Sequence, residues 1–423
     1  MKKYVPPTAK PDEFSNKALY YREKCKRKLV LSICLSTLLV SYAYAGAREQ
    51  AARMHERLAG VPATADILAT MQNHIEEGNP TEAAYVAMNT PSFYNVTLKT
   101  WVTPWTNEAA DKFAPLNDYV ATVIGMVRDD VDFREVLSGD ILYVGDASLN
   151  IPSYSNSNND HYLSMENSGT DLYANLVRRE QSTITGLPSV ATAGVMTTRA
   201  AAKAFFKDGT NRAMFRFTLI NHMCTDLEGV ADITRPPDRI RQDVSRSPGG
   251  DSRLFHNNCV SCHSGMDPLA QAFAYYNYNY NADNDPEGDN GSIAYNDDGQ
   301  IDPVTGSRVQ EKYQINANNF VHGFITQSDR WDNYWRNGTN YNLGWSEALD
   351  GFGFGAKSMG QELANSEQFA TCQVTKVFEE ICLRTPQDSA DHTEIDTITS
   401  QFISSGYQMK TVFAHTANYC KGE

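Results

Sequence analysis

Cys259-Val260-Ser261-Cys262-His263 is the stretch of this chain whose residue types and spacing define a chemistry. Two thiols separated by two residues and followed at once by an imidazole form the attachment sequence for haem c. The thiols lie on one side of a helical turn and can form thioethers to the two vinyl groups of a porphyrin. His263 then comes beneath the ring as the proximal iron ligand. A zinc half-site needs a second Cys or His pair at matching spacing, and no other cysteine supplies one. A redox dithiol needs a thioredoxin-like βαβ setting, which the surrounding pattern lacks. The motif occurs once, so the expectation is one covalent haem c.

The sixth iron ligand separates two kinds of chemistry. A thioether raises the potential and suits electron transfer, whereas an open site admits peroxide or oxygen. Met359, in Gly355-Ala356-Lys357-Ser358-Met359-Gly360, reads as part of a Gly-rich loop just before a helix and is the first candidate. His322, in Phe320-Val321-His322-Gly323, is the alternative, and His256 a weaker one. Met266 follows His263 by three residues and reads as packing on the proximal side. Four further cysteines follow the N-terminal segment: Cys224, Cys372, Cys382 and Cys420. Ten residues of one helix separate Cys372 from Cys382, a rise of about 15 Å. That is too far for a bond needing Cα atoms within about 7 Å. The favoured pairing is Cys382 with Cys420 and Cys224 with Cys372, and the opposite crossing stays open. Asp283, Asp285, Glu287 and Asp289 alternate around Gly288, but position twelve of such a loop is Ala294 and no helices flank it. An EF-hand is excluded, and an irregular calcium site stays open. The Tyr275–Tyr280 run reads as a half-buried loop wall, or as a lining for the haem edge or a partner surface.

The elements that must position these groups are mainly helical. Ala51, Met54 and Leu58 recur at helical spacing until Gly60 and Pro62 stop them. Thr64 can cap a following helix with Ile67, Leu68, Met71 and Ile75 on one stripe. Residues 118–128 predict a largely buried helix, and 152–160 a polar loop. Residues 200–224 read as helical at both ends with a break at 207–211. Pro236-Pro237 and Pro248-Gly249-Gly250 bracket a basic extended linker. The Tyr, Asn and Asp-rich stretch 275–306 predicts a long surface loop. Helices return at 366–384, 391–402 and 407–419. The expected fold is mainly α, multi-helical, with a cytochrome-c-like haem region and long irregular loops. The expected organisation is a signal segment 1–45, a helical domain 46–215, a haem-binding region 216–345, and a C-terminal helical region 346–423 packing on it.

Composition narrows the function classes. The 423 residues carry 37 Lys and Arg against 51 Asp and Glu, a net charge of −14, which excludes nucleic acid as a partner. The first 28 residues run the other way, with nine Lys or Arg and three acids. An uncharged stretch from Leu29 to Ala45 follows and closes on Ala43-Tyr44-Ala45, a secretory signal with cleavage before Gly46. The stretch is short for a membrane span and diluted by Ser32, Ser36, Thr37 and Ser41. Ile33 before Cys34 is not the small residue of a lipoprotein site. Removing the basic segment leaves a net charge of −20 and six cysteines in an oxidising compartment, periplasmic or otherwise exported, with no membrane span after cleavage.

Several stretches resemble the planctomycete-type exported cytochrome-c-like proteins of unknown function, which also occur in proteobacteria. The similarity lies in Arg246-Ser247-Pro248-Gly249-Gly250-Asp251, in Cys259–His263, and in Gly265-Met266-Asp267-Pro268-Leu269. It continues in Gly186-Leu187, Gly194–Thr197, Asp298–Asp302, Leu363–Ser366 with Phe369 and Cys372, and Phe402 with Ser405-Gly406-Tyr407. The resemblance covers most of the chain after residue 130. It implies haem binding and electron transfer, with an aromatic helix over 270–276 after the motif. The insertion 277–296 is longer than the family pattern. The leading expectation is an exported monohaem cytochrome exchanging electrons with a redox protein that docks through a basic face. A haem-dependent peroxidase or oxidase, and an envelope protein in which haem serves stability, are the other classes. Intact-mass and N-terminal analysis of the exported protein should find Gly46 as its first residue; a retained Lys24–Lys28 cluster would remove the export reading.

Overall fold

In the computed structural model, which describes residues 45–208, 210–246 and 251–422, helices form where the sequence carries an apolar stripe behind a cap. The proposed signal segment, but for Ala45, lies outside the described residues, as do Ser247–Gly250. Helix α1 (Ala47–Ala59) buries Ala51, Met54 and Leu58. Thr64 accepts a hydrogen bond from the Ile67 amide and starts α2 (Ala65–Glu76). Pro80 opens α3 (Pro80–Met88), where its missing N–H costs nothing. Helix α4 (Asp118–Arg128) is buried from Asp118 to Val127, so it has no solvent face to keep polar. Strand β1 (Leu142–Gly145), α5 (Asp160–Asn167), β2 (Leu176–Arg179), α6 (Arg199–Phe206) and α7 (Arg212–Met223) follow. Next come α8 (Ser252–Asn258), α9 (Val260–Ala270), β3 (Tyr276–Asn279), β4 (Ser292–Tyr295), β5 (Arg330–Asp332) and β6 (Phe352–Phe354). Helices α10 (Gly355–Ala364), α11 (Glu367–Cys382), α12 (Ser389–Ser404) and α13 (Met409–Tyr419) complete the chain. The protein is mainly helical, and the described strands form three two-stranded antiparallel sheets.

The two ends of the described chain meet. Helices α1, α2 and α3 pack on one another, and α13 returns to lie against α3 and α1. Helix α11 packs on α12, α13 and α7. The favoured cysteine pairing is the one present: Cys382–Cys420 joins the ends of α11 and α13, and Cys224–Cys372 ties the end of α7 to α11, with Cα separations of 5.4 and 5.3 Å. Ala47–Gly422 forms one unit, so positions 215 and 345 fall inside it.

Three local expectations are corrected. The stretch 275–306 is not simply a surface loop: β3 and β4 pair within it, Tyr276 opposite Tyr295. Tyr276 and Tyr278 alternate inward and are buried, their hydroxyls donating to the Ala191 and Gly288 carbonyls. Alternation over so few residues between polar neighbours is too short a signal to separate a strand from a loop. The aromatic segment 270–276 is not a helix beyond α9; a 3₁₀ turn at Gln271–Phe273 leads into β3. The third correction concerns Met359. Residues 355–360 are the first turns of α10 itself, not a loop before a helix. Gly360 serves close packing rather than flexibility, since a Cβ there would sit 1.8 Å from the Leu137 carbonyl oxygen.

Helix α11 also closes the C-terminus of α7. The last carbonyls of a helix have no partner within it. Lys376 Nζ donates to the carbonyl of Asn221, Gln373 to that of His222, and Gln368 to that of Met223. Lys376 lies 3.8 Å from the Trp105 ring centroid. Burial lowers its pKa from 10.5 to about 7. Between those values the unfolded chain holds a proton that the folded chain has released, so raising the pH across this window stabilises the fold. Denaturation midpoints should therefore rise from pH 7 toward pH 9.5, and the slope should flatten in Lys376→Met. An unchanged slope in that variant would show that Lys376 keeps its proton in the folded state.

Candidate haem attachment site

The motif sits where two helices join. Asp251 caps α8 by accepting from the Arg253 amide, and Phe255 is buried beneath it. The Cys259 amide donates to the Phe255 carbonyl at 2.8 Å, and the His263 amide donates to the Cys259 carbonyl at 3.2 Å. The chain thus turns from α8 into α9 at the first cysteine. Helix α9 packs against α7. The Asp232 amide donates to the Ser261 carbonyl at 3.0 Å, and Ser264 Oγ returns a bond to the Asp232 carbonyl. Gly265 admits the fully buried Trp335, because a Cβ at this position would lie 2.0 Å from the indole nitrogen.

Cys259 and Cys262 are half-buried and are the free thiols among the described residues. Cys259 packs on Ile240, Val244 and Phe255, a small apolar cluster separate from the main core. Cys262 Sγ lies 3.5 Å from the Leu227 carbonyl, and burial raises its pKa. His263 keeps 21% of its side chain exposed, with Nδ1 3.1 Å from Oδ1 of the fully buried Asp267. Two hydrogen bonds from Arg212 hold Asp267, Nε to Oδ1 at 2.7 Å and Nη2 to Oδ2 at 3.2 Å. Burial pushes the Asp267 carboxyl up, but the charge of Arg212 and the contacts from His263 and Arg212 overcome this and hold it well below the usual carboxylate range. An ionised carboxylate only accepts, so Nδ1 is the donor and Nε2 is the ring nitrogen turned away from Asp267. That tautomer is the one an iron ligand requires.

The cluster extends from there. Arg212 also donates twice to Asp243, at 3.0 and 2.8 Å, and Arg241 Nη2 donates to Asp243 at 3.2 Å. Arg241 is fully buried over the Tyr313 ring, 3.9 Å from its centroid. Its Nε and Nη1, and Nε of Arg246, find no hydrogen-bond partner among the described residues. The Arg246 guanidinium lies 5.6 Å from the Phe255 ring and 4.2 Å from the Phe320 ring. Phe255 is in turn 5.8 Å from the His263 ring. Ile233, Leu254, Val321 and Ile325 are exposed on the segments that border the motif.

A haem fits this donor set. The porphyrin supplies four iron donors, so the protein need provide only the thiols, one imidazole and, for some chemistries, a sixth group. The Arg246 guanidinium beside Phe255 matches the acidic substituents of the ring, and the exposed apolar residues match its faces. Among the described residues no three His, Cys, Asp or Glu side chains are grouped to hold an ion unaided.

The other expected ligands fall in different places. Met359 is fully buried in the main core on α10, whose principal neighbours are the Phe133–Leu137 turn, β6 and the Gln271–Phe273 turn rather than α9. His322 is exposed on a segment that runs beside Arg241, with the Phe324 amide donating to the Ile240 carbonyl at 2.7 Å. Its ring neighbours Phe320, which the Arg246 stack connects to Phe255. His256 is exposed on α8, and Met266 is buried as packing. The carboxylates of 283–289 go to separate partners. Asp285 accepts from the Asp289 and Asn290 amides, Asp289 pairs with Lys203, and Glu287 lies 4.0 Å from Lys207. The motif by itself does not point to Asp267 as the partner of His263. Its spacing of four from His263 on a helix was a usable signal. Arg212 and Asp243 come from distant segments and carried none. Gly265→Ala should destabilise the protein by about 1–3 kcal/mol, measured by chemical denaturation, because the buried indole cannot give way without disturbing its neighbours. Wild-type stability in that variant would show that Trp335 moves freely.

Known protein families, curated proteins and solved structures were each compared with the chain, and none matches.

Proposed function

We propose that this protein is an exported monohaem c-type cytochrome that exchanges single electrons with a redox protein. The observation that carries the proposal is the state of the cysteines and His263 together. Four cysteines are consumed in two disulfides, while Cys259 and Cys262 stay free one turn apart. His263 is anchored at Nδ1 by Asp267, which leaves Nε2 for a metal. A covalently held haem supplies reversible one-electron exchange at its iron. The chain's own residues do the rest. The two thiols would hold the ring, His263 would orient it, and the Arg246 guanidinium beside Phe255 would be within the same region to meet its acids. Export suits the disulfides, and no helix among the described residues is long and apolar enough to cross a membrane. The net charge of −14 favours a partner with a basic docking face. The resemblance to planctomycete-type cytochrome-c-like proteins belongs to this proposal as well.

For the sixth position the placement favours His322, on a segment stacked toward the motif, over Met359 in the main core. Peroxidase or oxidase chemistry is the second reading, and it draws on one observation, the carboxylate behind His263.

Expression in a host that matures c-type cytochromes should give one covalent haem per chain, lost in the double variant Cys259→Ser, Cys262→Ser. Its spectrum should be six-coordinate and low-spin, and His322→Ala should change it where Met359→Ala does not. Absence of covalent haem would overturn the proposal. A high-spin ferric spectrum that responds to cyanide or peroxide would move it to the second reading.

A further inference from the structure

Among the groups near the motif, one carboxylate is placed where it acts on the proximal ligand without touching the haem. Asp267 lies one helical turn beyond His263, is fully buried, and accepts a hydrogen bond from His263 Nδ1. Resting on the haem proposal above, we infer that Asp267 is a positioning residue that strengthens His263 as an electron donor and so lowers the reduction potential of the bound iron.

The argument is one of hydrogen-bond competition. A carboxylate accepting the Nδ1 proton draws it partly off the ring and makes Nε2 a stronger donor. A stronger donor favours ferric over ferrous iron. Asp267 cannot turn away, because its backbone is in α9 and both carboxylate oxygens are engaged by Arg212. Nor is its strength unopposed. Arg212 Nε and His263 Nδ1 bond the same oxygen, Oδ1, at 2.7 and 3.1 Å. Arg212 therefore withdraws part of the electron density that Asp267 would lend to the imidazole. Arg212 is itself shared with Asp243, so the balance is set by three segments that meet only in the folded chain: α7, the 231–246 linker and α9.

The test uses the haem-loaded exported protein, with Asp267→Asn and Asp267→Ala compared by redox titration. Asp267→Ala should raise the reduced-to-oxidised ratio at fixed ambient potential at least about tenfold, about 59 mV for one electron. The iron–imidazole stretching frequency of the ferrous protein should fall, read by resonance Raman after photolysis of carbon monoxide bound at the sixth position in a His322→Ala background. Asp267→Asn, which keeps an acceptor oxygen without its charge, should fall between wild type and alanine. Full haem loading with an unchanged potential overturns the inference. So does an equal shift of potential in both variants at a constant frequency, which a through-space charge alone would produce. If neither variant accumulates, Arg212→Lys carries the test: it keeps the positive charge but releases the two-pronged contact, and the frequency should rise. No change there overturns the inference. A wild-type protein without covalent haem overturns the haem proposal and this inference with it, whereas the outcomes on loaded protein reach this inference alone.

Discussion

The region around Cys259–His263 depends on a buried ionic cluster. Asp267 and Asp243 are removed from water, and neither charge is tolerable there without a partner. Arg212 meets both with four hydrogen bonds, and Arg241 adds a fifth to Asp243. Such a cluster is weak evidence for stability, since desolvation offsets most of the attraction. Its value is geometric. Planar guanidinium and carboxylate groups meet in few orientations, so the cluster sets how α7, the linker and α9 lie against one another. The orientation of His263 follows from it.

The cluster in turn needs a rigid α7. That helix begins at Arg212 and ends under the side chains of Gln368, Gln373 and Lys376, which take its last carbonyls. Cys224–Cys372 ties the residue immediately after it to α11, and Cys382–Cys420 ties α11 to the end of the chain. Through α11 and α13 the Cys259–His263 motif is coupled to the N-terminal helices, more than 160 residues earlier in sequence. Two covalent links outside the motif thus restrain the element that fixes the charge behind His263.

Around the motif the surface changes character. The chain as a whole is acidic, yet the linker and the segments beside it bring Arg239 and Arg246 together with exposed aliphatic side chains. Arg239 stacks on Phe324 at 4.6 Å and Arg246 on Phe320 at 4.2 Å, so the cationic groups lie over aromatic rings rather than in open solvent.

Much of this was legible in the residues. Thr64 before Ile67, the apolar run of α4 and the Ser366 cap of α11 obey local rules, and local rules act over one or two turns. Cys259, Cys262 and His263 are also local, because a single helical turn contains them all. The strand through Tyr276 and Tyr278 was missed because its pairing partner, β4, lies beyond a polar insertion and supplies what the short alternation lacks. Met359 was misplaced for a related reason: a glycine reads as flexibility in a sequence, while Gly360 is there to let Leu137 approach. The sequence alone determined that two thiols and an imidazole share one turn and that the fold is built of helices. Tertiary structure decided which charge stands behind His263 and that Met359 lies in the main core, since those contacts join segments far apart in the chain and exist only once their water has been removed.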